Sequence, residues 1–543
     1  MEKPARAFSM EENIMIRINS IVLSLDEPWE ALRSKAAKAL RLSSEDIVSF
    51  RILKESIDAR GSEVKLSYSV MVETKDDERV LLRARNRDAS LYVEEPRASV
   101  SYGTEVLHEK PIIVGFGPAG IFCAMTLAKH GYEPVVIERG DDVDKRTAAV
   151  DAFMAVGAFD TESNIQFGEG GAGAFSDGKL TTRIKAQRVR EVMAELIDAG
   201  APAEIAYLSK PHVGTDILKN VVRNMRKKIE SLGGEITFRQ KLEDIGMDGG
   251  RVRSAKVSGR DVPAEALVLA IGHSARDTYE MLFKNGIEME AKSMAVGARV
   301  ENLQELIDIN QYGKWAGHER LRSSEYKLTR KLSDGRGAYS FCMCPGGFVV
   351  PAASEDGRLV VNGMSYHARD GRNANSAIVV SVTPDDYGNH PLDGIRFQRL
   401  IEEKAYAAGG GNYTAPVQLV SDFIEGKVST SLGEVTPTYV PAVSFADIGR
   451  VLPDPVTKGL REALSDFNVK IRGFAENGAV LTGVETRTSA PVRVVRSHEL
   501  QSVSCSGLYL TGEGAGYAGG IVSAAVDGIK AAESIMNRYR PRR

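Results

Sequence analysis

Residues 111–140 contain the pattern that most constrains the fold of this chain. A short apolar strand runs into Gly115-Phe116-Gly117-Pro118-Ala119-Gly120, a complete G-x-G-x-x-G, and an apolar helix and a second strand, 134–137, follow. In such a unit the first glycine permits a tight turn, the second lets a pyrophosphate approach the backbone, and the third lets helix and strand pack closely. Glu138, at the end of the second strand, is placed to accept hydrogen bonds from ribose hydroxyls. The segment therefore predicts a βαβ unit that binds a dinucleotide.

A second match to G-x-G-x-x-G, residues 514–519, lies between the strand 507–513 and an apolar helix. Only about two dozen residues follow it, which leaves no room for another strand with its own ribose-binding acid. We therefore expect this strand, loop and helix to return to the first nucleotide-binding domain. The N-terminus of the helix would then face the other end of the same cofactor.

Composition and charge exclude several classes of protein. The net charge of −3 provides no global field for nucleic acid or an anionic membrane, and four cysteines in 543 residues are too few for a disulfide framework. The acidic N-terminus lacks the apolar core of a secretory signal, and no apolar run approaches the ~20 residues of a membrane-spanning helix. We expect a cytoplasmic protein that does not enter a membrane.

Residues 1–100 predict a small, separate α/β domain. Strand patterns cover 14–25, 47–57 and 64–73, and Trp29, Leu32, Ala36 and Leu40 would share one face of a helix. Arg83, Arg85 and Arg87 alternate, so on a strand they would form a basic ridge that either protects a sheet edge or contacts an anion or RNA. The domain has 17 Lys and Arg against 18 Asp and Glu, which argues against a nucleic-acid surface.

Longer motifs carry a family resemblance that covers nearly the whole chain. GFGPAG, VIERG, LAIGHS and LYLTGEGAGYAGGI resemble the FAD-binding pattern of flavoproteins of the glutathione reductase/para-hydroxybenzoate hydroxylase class. Within that class, NIQFGEGGAGAFSDGKLTTR, KPHVGTD and FCMCPGG are similar to the bacterial FAD-dependent dehydrogenases known as NAD(FAD)-utilising proteins. The resemblance implies FAD that is held without a covalent bond.

Pattern and resemblance together predict an α/β protein with a discontinuous, Rossmann-like FAD-binding domain. Its first part would span 105–290 and its closing part 485–543. A strand-rich α+β substrate domain, 291–484, would be inserted between them and cover the flavin, and the small α/β domain 1–100 would be appended.

The resemblance also implies which residues contact FAD. The pyrophosphate would meet the glycine turn, the adenosine ribose would meet Glu138, and the adenine would meet the backbone near Leu242. Gly512 and Glu513 would lie by the ribityl chain, although many relatives have the shorter Asp at 513. Gly520 and Ile521 would lie near the flavin pyrimidine. The full predicted set is Gly115, Gly117, Pro118, Ala119, Gly120, Glu138, Arg139, Gly140, Gly170, Gly171, Ser176, Lys179, Leu242, Gly272, Gly512, Glu513, Gly520 and Ile521.

The glycine cluster at 168–178 predicts a loop against the flavin ring, because glycine permits close approach. Gly170, Gly171 and Ser176 belong to this loop, and Lys179, which follows it, would stabilise an anionic reduced flavin. The alternative is a glycine-rich turn beside a solvated lysine.

The catalytic candidates are chosen by the reactivity of their side chains, because the sequence does not fix their positions in space. Cys342 and Cys344 form a C-x-C that would act as a redox pair, hold a soft metal or simply be buried; no nearby spacing supplies further metal ligands, so we expect no metal site. A general acid would suit His273 or His212. A further candidate is Tyr517, in the closing loop. His367, Arg369 and Arg372 would either clamp a carboxylate or phosphate or, as the sequence favours, lie in a solvated loop.

The sequence thus predicts an FAD-dependent oxidoreductase that transfers hydride to or from a small molecule. NAD(P)H is a candidate electron donor, and it would visit the flavin transiently because no second Rossmann unit is present. Two alternatives remain open: a tRNA-modifying flavoprotein, and a flavin-binding redox sensor without turnover. Substrate, electron acceptor and oligomeric state stay open as well.

Overall fold

The computed structural model describes residues 14–93, 100–184, 186–476 and 478–542. The chain divides into two compact units, and their segments follow. Unit 1 comprises Met1–Ser99, Ala203–Pro211 and His318–Leu321, and unit 2 comprises Val100–Pro202, His212–Gly317 and Arg322–Arg543.

Unit 1 is a βαββαβ arrangement. Its elements are β1 Ile14–Ser24, α1 Ala31–Ala39, β2 Ser49–Asp58, β3 Lys65–Glu73, α2 Asp77–Ala84 and β4 Ala89–Val93. The strands form an antiparallel sheet in the order β2-β3-β1-β4, which is the topology of a split βαβ, or ferredoxin-like, fold. Apolar side chains that alternate along β1 and β3, such as Ile16, Ile18, Val70 and Val72, form its core.

Two sequence expectations for unit 1 are wrong. Trp29 precedes α1 and is 54% exposed, so it does not belong to the buried helix face, which Leu32 and Ala36 supply. The arginine alternation does not lie on a strand: Arg83 is in the last turn of α2 and Arg85 is its left-handed C-cap. Alternation of three charged residues was too short to distinguish a helix end from a strand.

Unit 2 contains the remaining elements. Its strands are β5 Ile112–Val114, β6 Val135–Ile137, β7 Glu235–Thr237, β8 Leu242–Asp248, β9 Arg251–Val257, β10 Arg260–Pro263, β11 Leu267–Leu269, β12 Met289–Ala291, β13 Met294–Leu303, β14 Thr329–Lys331, β15 Gly337–Cys344, β16 Phe348–Pro351, β17 Val361–Met364, β18 Asn373–Val382, β19 Ala415–Leu419, β20 Val443–Phe445, β21 Val480–Glu485, β22 Val492–Val494 and β23 Leu508–Leu510. Its helices are α3 Pro118–Lys129, α4 Val143–Val156, α5 Gln187–Asp198, α6 Thr215–Ser231, α7 Arg276–Lys284, α8 Gln304–Tyr312, α9 Pro384–Tyr387, α10 Asp393–Ala408, α11 Val420–Glu425, α12 Ile448–Val451, α13 Asp454–Lys470 and α14 Ile521–Arg538.

A five-stranded parallel sheet organises the nucleotide-binding part of unit 2. Its order is β23-β11-β5-β6-β7, so the late strand β23 joins strands from the first half of the chain. All three residues of β5, β11 and β23 are buried, as expected for a parallel sheet covered on both faces. The Rossmann-like, discontinuous α/β fold is therefore confirmed.

Helix α14 packs closely against α3, the helix that follows the glycine turn. At the point of closest approach the helices meet at Gly528, where a Cβ would collide with the carbonyl group of Ala119. Glycine at this position lets α14 lie directly behind the N-terminus of α3.

The inserted part is built on a second, seven-stranded sheet in the order β14-β15-β18-β13-β21-β19-β20. Its pairs are antiparallel except β19–β20, and the neighbouring strands β13 and β18, each buried at all but one residue, lie in its interior. Helix α13 covers this sheet with an apolar face that includes Leu460, Leu464 and Phe467. Within the described ranges, no helix has the length and apolarity needed to cross a membrane.

Candidate functional site: a dinucleotide cradle and its neighbours

The three glycines of the turn between β5 and α3 differ in how tightly the surrounding backbone encloses them. Gly115 has a φ of +96°, and a Cβ at Gly120 would collide with the carbonyl oxygen of Gly115, so both are required by the turn itself. Gly117 has an ordinary φ of −82°, and the nearest atom to a Cβ there would be the Cα of Gly171, 3.6 Å away. Gly117 is the N-cap of α3, and the N-terminus of a helix favours an anion because its first backbone N–H groups have no partner within the helix. The turn therefore fits the pyrophosphate of FAD.

The carboxylate of Glu138 is more than a ribose acceptor. It is 4% exposed and accepts hydrogen bonds from the backbone N–H groups of Phe116 (2.8 Å), Gly140 (2.9 Å) and Gly168 (2.9 Å). A carboxylate has about four acceptor positions, so one remains for a ribose hydroxyl. Glu138 thus holds three backbone turns together at the place where the sequence predicts the adenosine ribose.

Residues 168–178, the glycine loop, form the second wall of the cradle. A Cβ on Gly140 would lie 2.6 Å from the Cα of Gly168, and a Cβ on Gly171 would lie 2.9 Å from the Cα of Gly117. Further along, a Cβ on Gly173 would touch the side chain of Ile521 at 3.2 Å. The glycine loop therefore packs in turn against Gly140, against Gly117 of the glycine turn, and against Ile521 at the start of α14.

Sequence analysis missed Arg146, which holds this loop. Arg146 lies on α4, has no exposed surface, and shares the buried face of that helix with Val143, Val150 and Phe153. These four residues have the spacing of one helix face. An arginine among three apolar residues on that face was the signal in the sequence that Arg146 is buried.

A cavity of about 180 Å³ lies at the carboxyl ends of β6 and β11. Arg139 lines it, donating hydrogen bonds to Glu162 (2.7 Å) and Asp277 (3.0 Å) and lying 4.1 Å from the centre of the Phe167 ring. Lys241 also lines it and directly precedes Leu242, whose own side chain is buried. The full lining is Arg139, Thr161, Glu162, Phe167, Lys241, Ser274, Arg276, Asp277, Ser354 and Glu355.

At the opposite end of the turn, the loop before α14 brings a carboxylate close to a lysine. Burial raises the pKa of the Glu513 carboxyl to about 7, and the charge of Lys292 opposes that shift. Gly512 donates its N–H to Asp527 (2.7 Å), which also pairs with Arg496 (2.7 Å). Gly520, with φ +86°, is the N-cap of α14. The end of the loop is thus fixed, and Glu513 is left as its ionisable group.

Lys179 and Ser176 lie where the glycine loop meets the inserted part. The Lys179 ammonium donates to the carbonyl oxygen of Met343, between the two cysteines. The Ser176 hydroxyl donates to the Gly173 carbonyl (2.7 Å) and accepts the N–H of Gly178 (3.1 Å), so it stabilises the loop itself. Of these two residues, Lys179 contacts the inserted part, whereas Ser176 bonds within the glycine loop.

Cys342 and Cys344 do not form the same-face pair that an extended strand predicts. The pairing of β15 with β18 shifts between Phe341 and Cys344, and Cys342 has a φ of +42°. As a result Cys342 is exposed and Cys344 is buried. The surrounding protein nevertheless raises the pKa of both thiols, to about 12 for Cys342 and about 11 for Cys344. Both are protonated at neutral pH, which disfavours thiolate chemistry.

His273 and Tyr517 lie in surroundings that differ from those of Lys179. His273 contacts the Ser274 hydroxyl (2.9 Å), and burial together with the charges of Arg487 and Arg276 lowers its pKa to about 3, so it is neutral at pH 7. Tyr517 is 42% exposed, and the guanidinium of Arg496 lies 4.1 Å from the centre of its ring. The contacts of His273 and Tyr517 are therefore with other residues than the Met343 carbonyl, which Lys179 contacts beside the two cysteines.

Arg369 is not available for the anion clamp that the sequence allows with His367 and Arg372, and its burial does not fit the solvated loop that the sequence favours. Arg369 is buried and donates to Asp177 (3.0 Å) and Glu325 (2.9 Å), so its charge is already balanced by carboxylates. His367 instead stacks on His212, with ring centroids 5.1 Å apart. Burial and the charge of Arg369 lower the pKa of His212 to about 4, which removes it as a cationic acid at neutral pH.

No group of three or more His, Cys, Asp or Glu side chains that could hold a metal ion occurs in the described part of the chain.

Three family models match successive parts of the chain. Residues 15–73 match a domain of unknown function, residues 109–295 match "Pyridine nucleotide-disulphide oxidoreductase", and residues 293–488 match "FAD-dependent protein, C-terminal domain-like". A protein of Clostridium beijerinckii described as "Uncharacterized protein" is 55% identical over 529 residues, which cover 96% of this chain and 99% of the relative. The predictions of an oxidoreductase and of FAD as its cofactor are confirmed.

Solved structures show more distant likenesses. A glycine oxidase from Bacillus cereus is 11% identical, with a TM-score of 0.32 and coverage of 78% of this chain and 96% of that one. An L-amino acid deaminase from Proteus vulgaris is 8% identical, with a TM-score of 0.34 and coverage of 81% and 92%. At these scores neither supports an argument about substrate.

Proposed function

This chain belongs to the same family as the Clostridium beijerinckii protein and is an FAD-dependent oxidoreductase, and we propose that it moves hydride between FAD and a small molecule bound under its inserted part. When bound, FAD supplies a site that accepts and releases hydride. The residues of the chain hold the cofactor, exclude water and place charge beside it. The glycine turn at the N-terminus of α3, where the helix end favours an anion and the backbone of Gly171 packs beside Gly117, is the observation that carries this proposal.

Three sites in unit 2 support an extended course for FAD. The cavity lined by Arg139 and Lys241 suits the adenine, since it lies beside Glu138, the proposed ribose acceptor. The pyrophosphate would lie at Gly117, before α3. Glu513 would then meet the ribityl chain, and Gly520 and Ile521 the flavin edge. Gly272, where a Cβ would meet nothing within 4 Å, leaves the strand end beside the adenine open.

The substrate would approach between the glycine loop and the inserted part, residues 291–484. Lys179 supports this location because it projects from the glycine loop to the Met343 carbonyl and carries a positive charge there. The thiol of Cys342 is exposed on the same bulge. Lys179 would stabilise negative charge that develops on the cofactor or substrate during hydride transfer, while Cys342 would contact the substrate as a neutral thiol.

We propose the domain boundaries at 1–100, 105–290, 291–484 and 485–543. Segments 203–211 and 318–321 are exceptions, since they belong to unit 1 although they lie inside later domains. All proposed FAD contacts lie in unit 2. The second G-x-G-x-x-G match, 514–519, connects β23 of the same parallel sheet to α14 and does not begin a separate nucleotide-binding domain. A nicotinamide donor would therefore have to bind transiently on the substrate side of the flavin.

The visible spectrum of the purified protein, recorded under anaerobic conditions before and after addition of NADH or NADPH, tests this proposal. We expect the bands of bound flavin. Rapid bleaching would identify a nicotinamide as the electron donor, whereas persistence would assign electron entry to another small molecule. A protein that neither contains FAD nor takes it up when FAD is supplied would contradict the proposed site.

A further inference from the structure

Arg146 is a fully buried cation that, among the described residues, donates to backbone carbonyl groups and to no carboxylate. Its Nε donates to Asn164 O (2.8 Å) and its Nη2 to Ile165 O (2.9 Å). Its Nη1 is shared among three further carbonyl oxygens, those of Gly168 (3.2 Å), Glu169 (2.7 Å) and Gly171 (2.9 Å). A single guanidinium group therefore binds five carbonyl groups along eight successive residues of backbone.

The segment held in this way shapes the cradle. Gly168 accepts from Arg146 with its carbonyl group and donates its N–H to Glu138 (2.9 Å). Gly171, the last residue bound by Arg146, packs directly against the backbone of Gly117. Gly168 has a φ of +119°, and a Cβ there would lie within contact of the Arg146 side chain. Movement of the guanidinium would therefore displace the glycine loop, which packs against Gly117 at the proposed pyrophosphate site.

In the part of the chain that the structure describes, no carboxylate forms an ion pair with Arg146. The neighbouring carboxylates are bonded to other groups: Glu138 accepts three backbone N–H groups, and Glu169 pairs with Arg226 (2.9 Å) and accepts the N–H of Val143 (2.7 Å). Burial lowers the pKa of Arg146 to about 10, so the group still carries its charge at neutral pH. Burying a charge without a direct partner is costly unless it is compensated.

We propose that Arg146 is a positioning residue for FAD, which fixes the glycine loop against Gly117 and places a buried positive charge behind the pyrophosphate. The carbonyl groups that surround the guanidinium separate it from the cofactor, so it acts without touching the pyrophosphate. This inference rests on the proposed FAD site.

Arg146→Ala and Arg146→Lys test the inference, with the affinity of the FAD-free protein for FAD as the measurement. Lysine keeps the charge but cannot reproduce the planar fork that reaches five carbonyls. We expect the dissociation constant to rise roughly tenfold or more for Arg146→Ala, given that hydrogen bonds to charged groups contribute about 1.5–3 kcal/mol, and to rise less for Arg146→Lys. Guanidinium ion at low millimolar concentration should restore part of the affinity of Arg146→Ala.

Arg188→Ala is the matched control, because it removes an arginine paired with Glu533 (2.7 Å) that takes no part in the cradle. We expect its affinity for FAD to equal that of the unsubstituted protein. Equal affinity in Arg146→Ala, or a loss that guanidinium ion does not reduce, would overturn the inference while leaving the FAD site itself intact. If Arg146→Ala does not fold, unchanged affinity in Arg146→Lys overturns it equally.

Discussion

Gly117 offers a direct test of the cradle because its backbone conformation suits any residue. Its φ of −82° is ordinary, so a side chain at this position adds volume without backbone strain. A Cβ would make an ordinary contact with the Cα of Gly171, 3.6 Å away, and a larger side chain would crowd this point. The same change at Gly115, whose φ is +96°, would strain the backbone. A loss of FAD there could therefore not be distinguished from a loss of folding.

We expect Gly117→Val to fold and to bind FAD roughly tenfold or more weakly, since overpacking of a fitted space costs about 1–3 kcal/mol. The flavin content after purification and the FAD titration of the apoprotein measure this. Gly120→Ala is the comparison: its Cβ would collide with the Gly115 carbonyl, so it should lower thermal stability even without FAD. A Gly117→Val protein that purifies with full flavin content would refute the assignment of the turn.

Glu513 should make the stability of the FAD-free protein depend on pH. Its pKa rises from 4.5 to about 7 on folding because of burial, so the folded state binds more protons than the unfolded state between these values. The free energy of unfolding should therefore fall as pH rises through this window. In Glu513→Gln this contribution is absent. We expect equal melting temperatures at about pH 4.5 and a more stable variant at about pH 8; a constant difference would argue against the raised pKa.

At the scale of single residues, the sequence predicts the functional role of a side chain more readily than its hydrogen-bond partners. Glu138 was assigned to the ribose from its place after β6, but its bond to Gly168, thirty residues later, could not be foreseen from spacing. The same holds for Arg369, which looked available for an anion and is occupied by Asp177, nearly 200 residues away. Such long-range pairs depend on packing that no local pattern encodes.

At the scale of elements, the contact between α14 and α3 determines where the N-terminus of α3 lies. A Cβ on Gly528 would meet the Ala119 carbonyl, in the first turn of α3. We expect Gly528→Val to lower stability by about 1–3 kcal/mol and to weaken FAD binding as α3 shifts. Thermal unfolding with and without FAD measures both effects.

Lys530→Ala, on the exposed face of the same helix, is the control and should change neither property. If Gly528→Val lowered stability but left the affinity for FAD unchanged, the position of α3 would not depend on this contact.

Elements with strong local signals were predictable. The helix α14 was expected from its apolar period, and the glycine turn with β5, β6 and α3 was expected from its motif. The bulge at Cys342 was not, because a positive φ at a cysteine has no signature in the sequence. The same local distortion separated two cysteines that an extended strand would have placed on one face.

At the scale of the whole molecule, the two units should be separable in their responses to substitution. Arg320 donates from Nη1 to the carbonyl groups of Ser24 (3.3 Å), Leu25 (2.9 Å) and Glu27, all within unit 1. We expect Arg320→Ala to lower the local stability of unit 1 by roughly 1–3 kcal/mol without changing FAD content. Hydrogen exchange of residues 14–93, together with the flavin absorbance, measures the two responses.

Arg60→Ala, which removes the exposed ion pair with Asp58, should change neither response and serves as the control. Loss of flavin in Arg320→Ala would show that unit 1 contributes to cofactor binding.

The position of β23 and α14 has a consequence for how this enzyme is made. The turn at Gly117 leaves the ribosome roughly 400 residues before Gly512, which at about 5–20 residues per second is an interval of roughly 20–80 s. During that time the parallel sheet lacks its edge strand β23, and α3 lacks the helix that packs behind it. We therefore expect flavin to be captured only after α14 has left the ribosome, and the shorter nascent chain to be colourless.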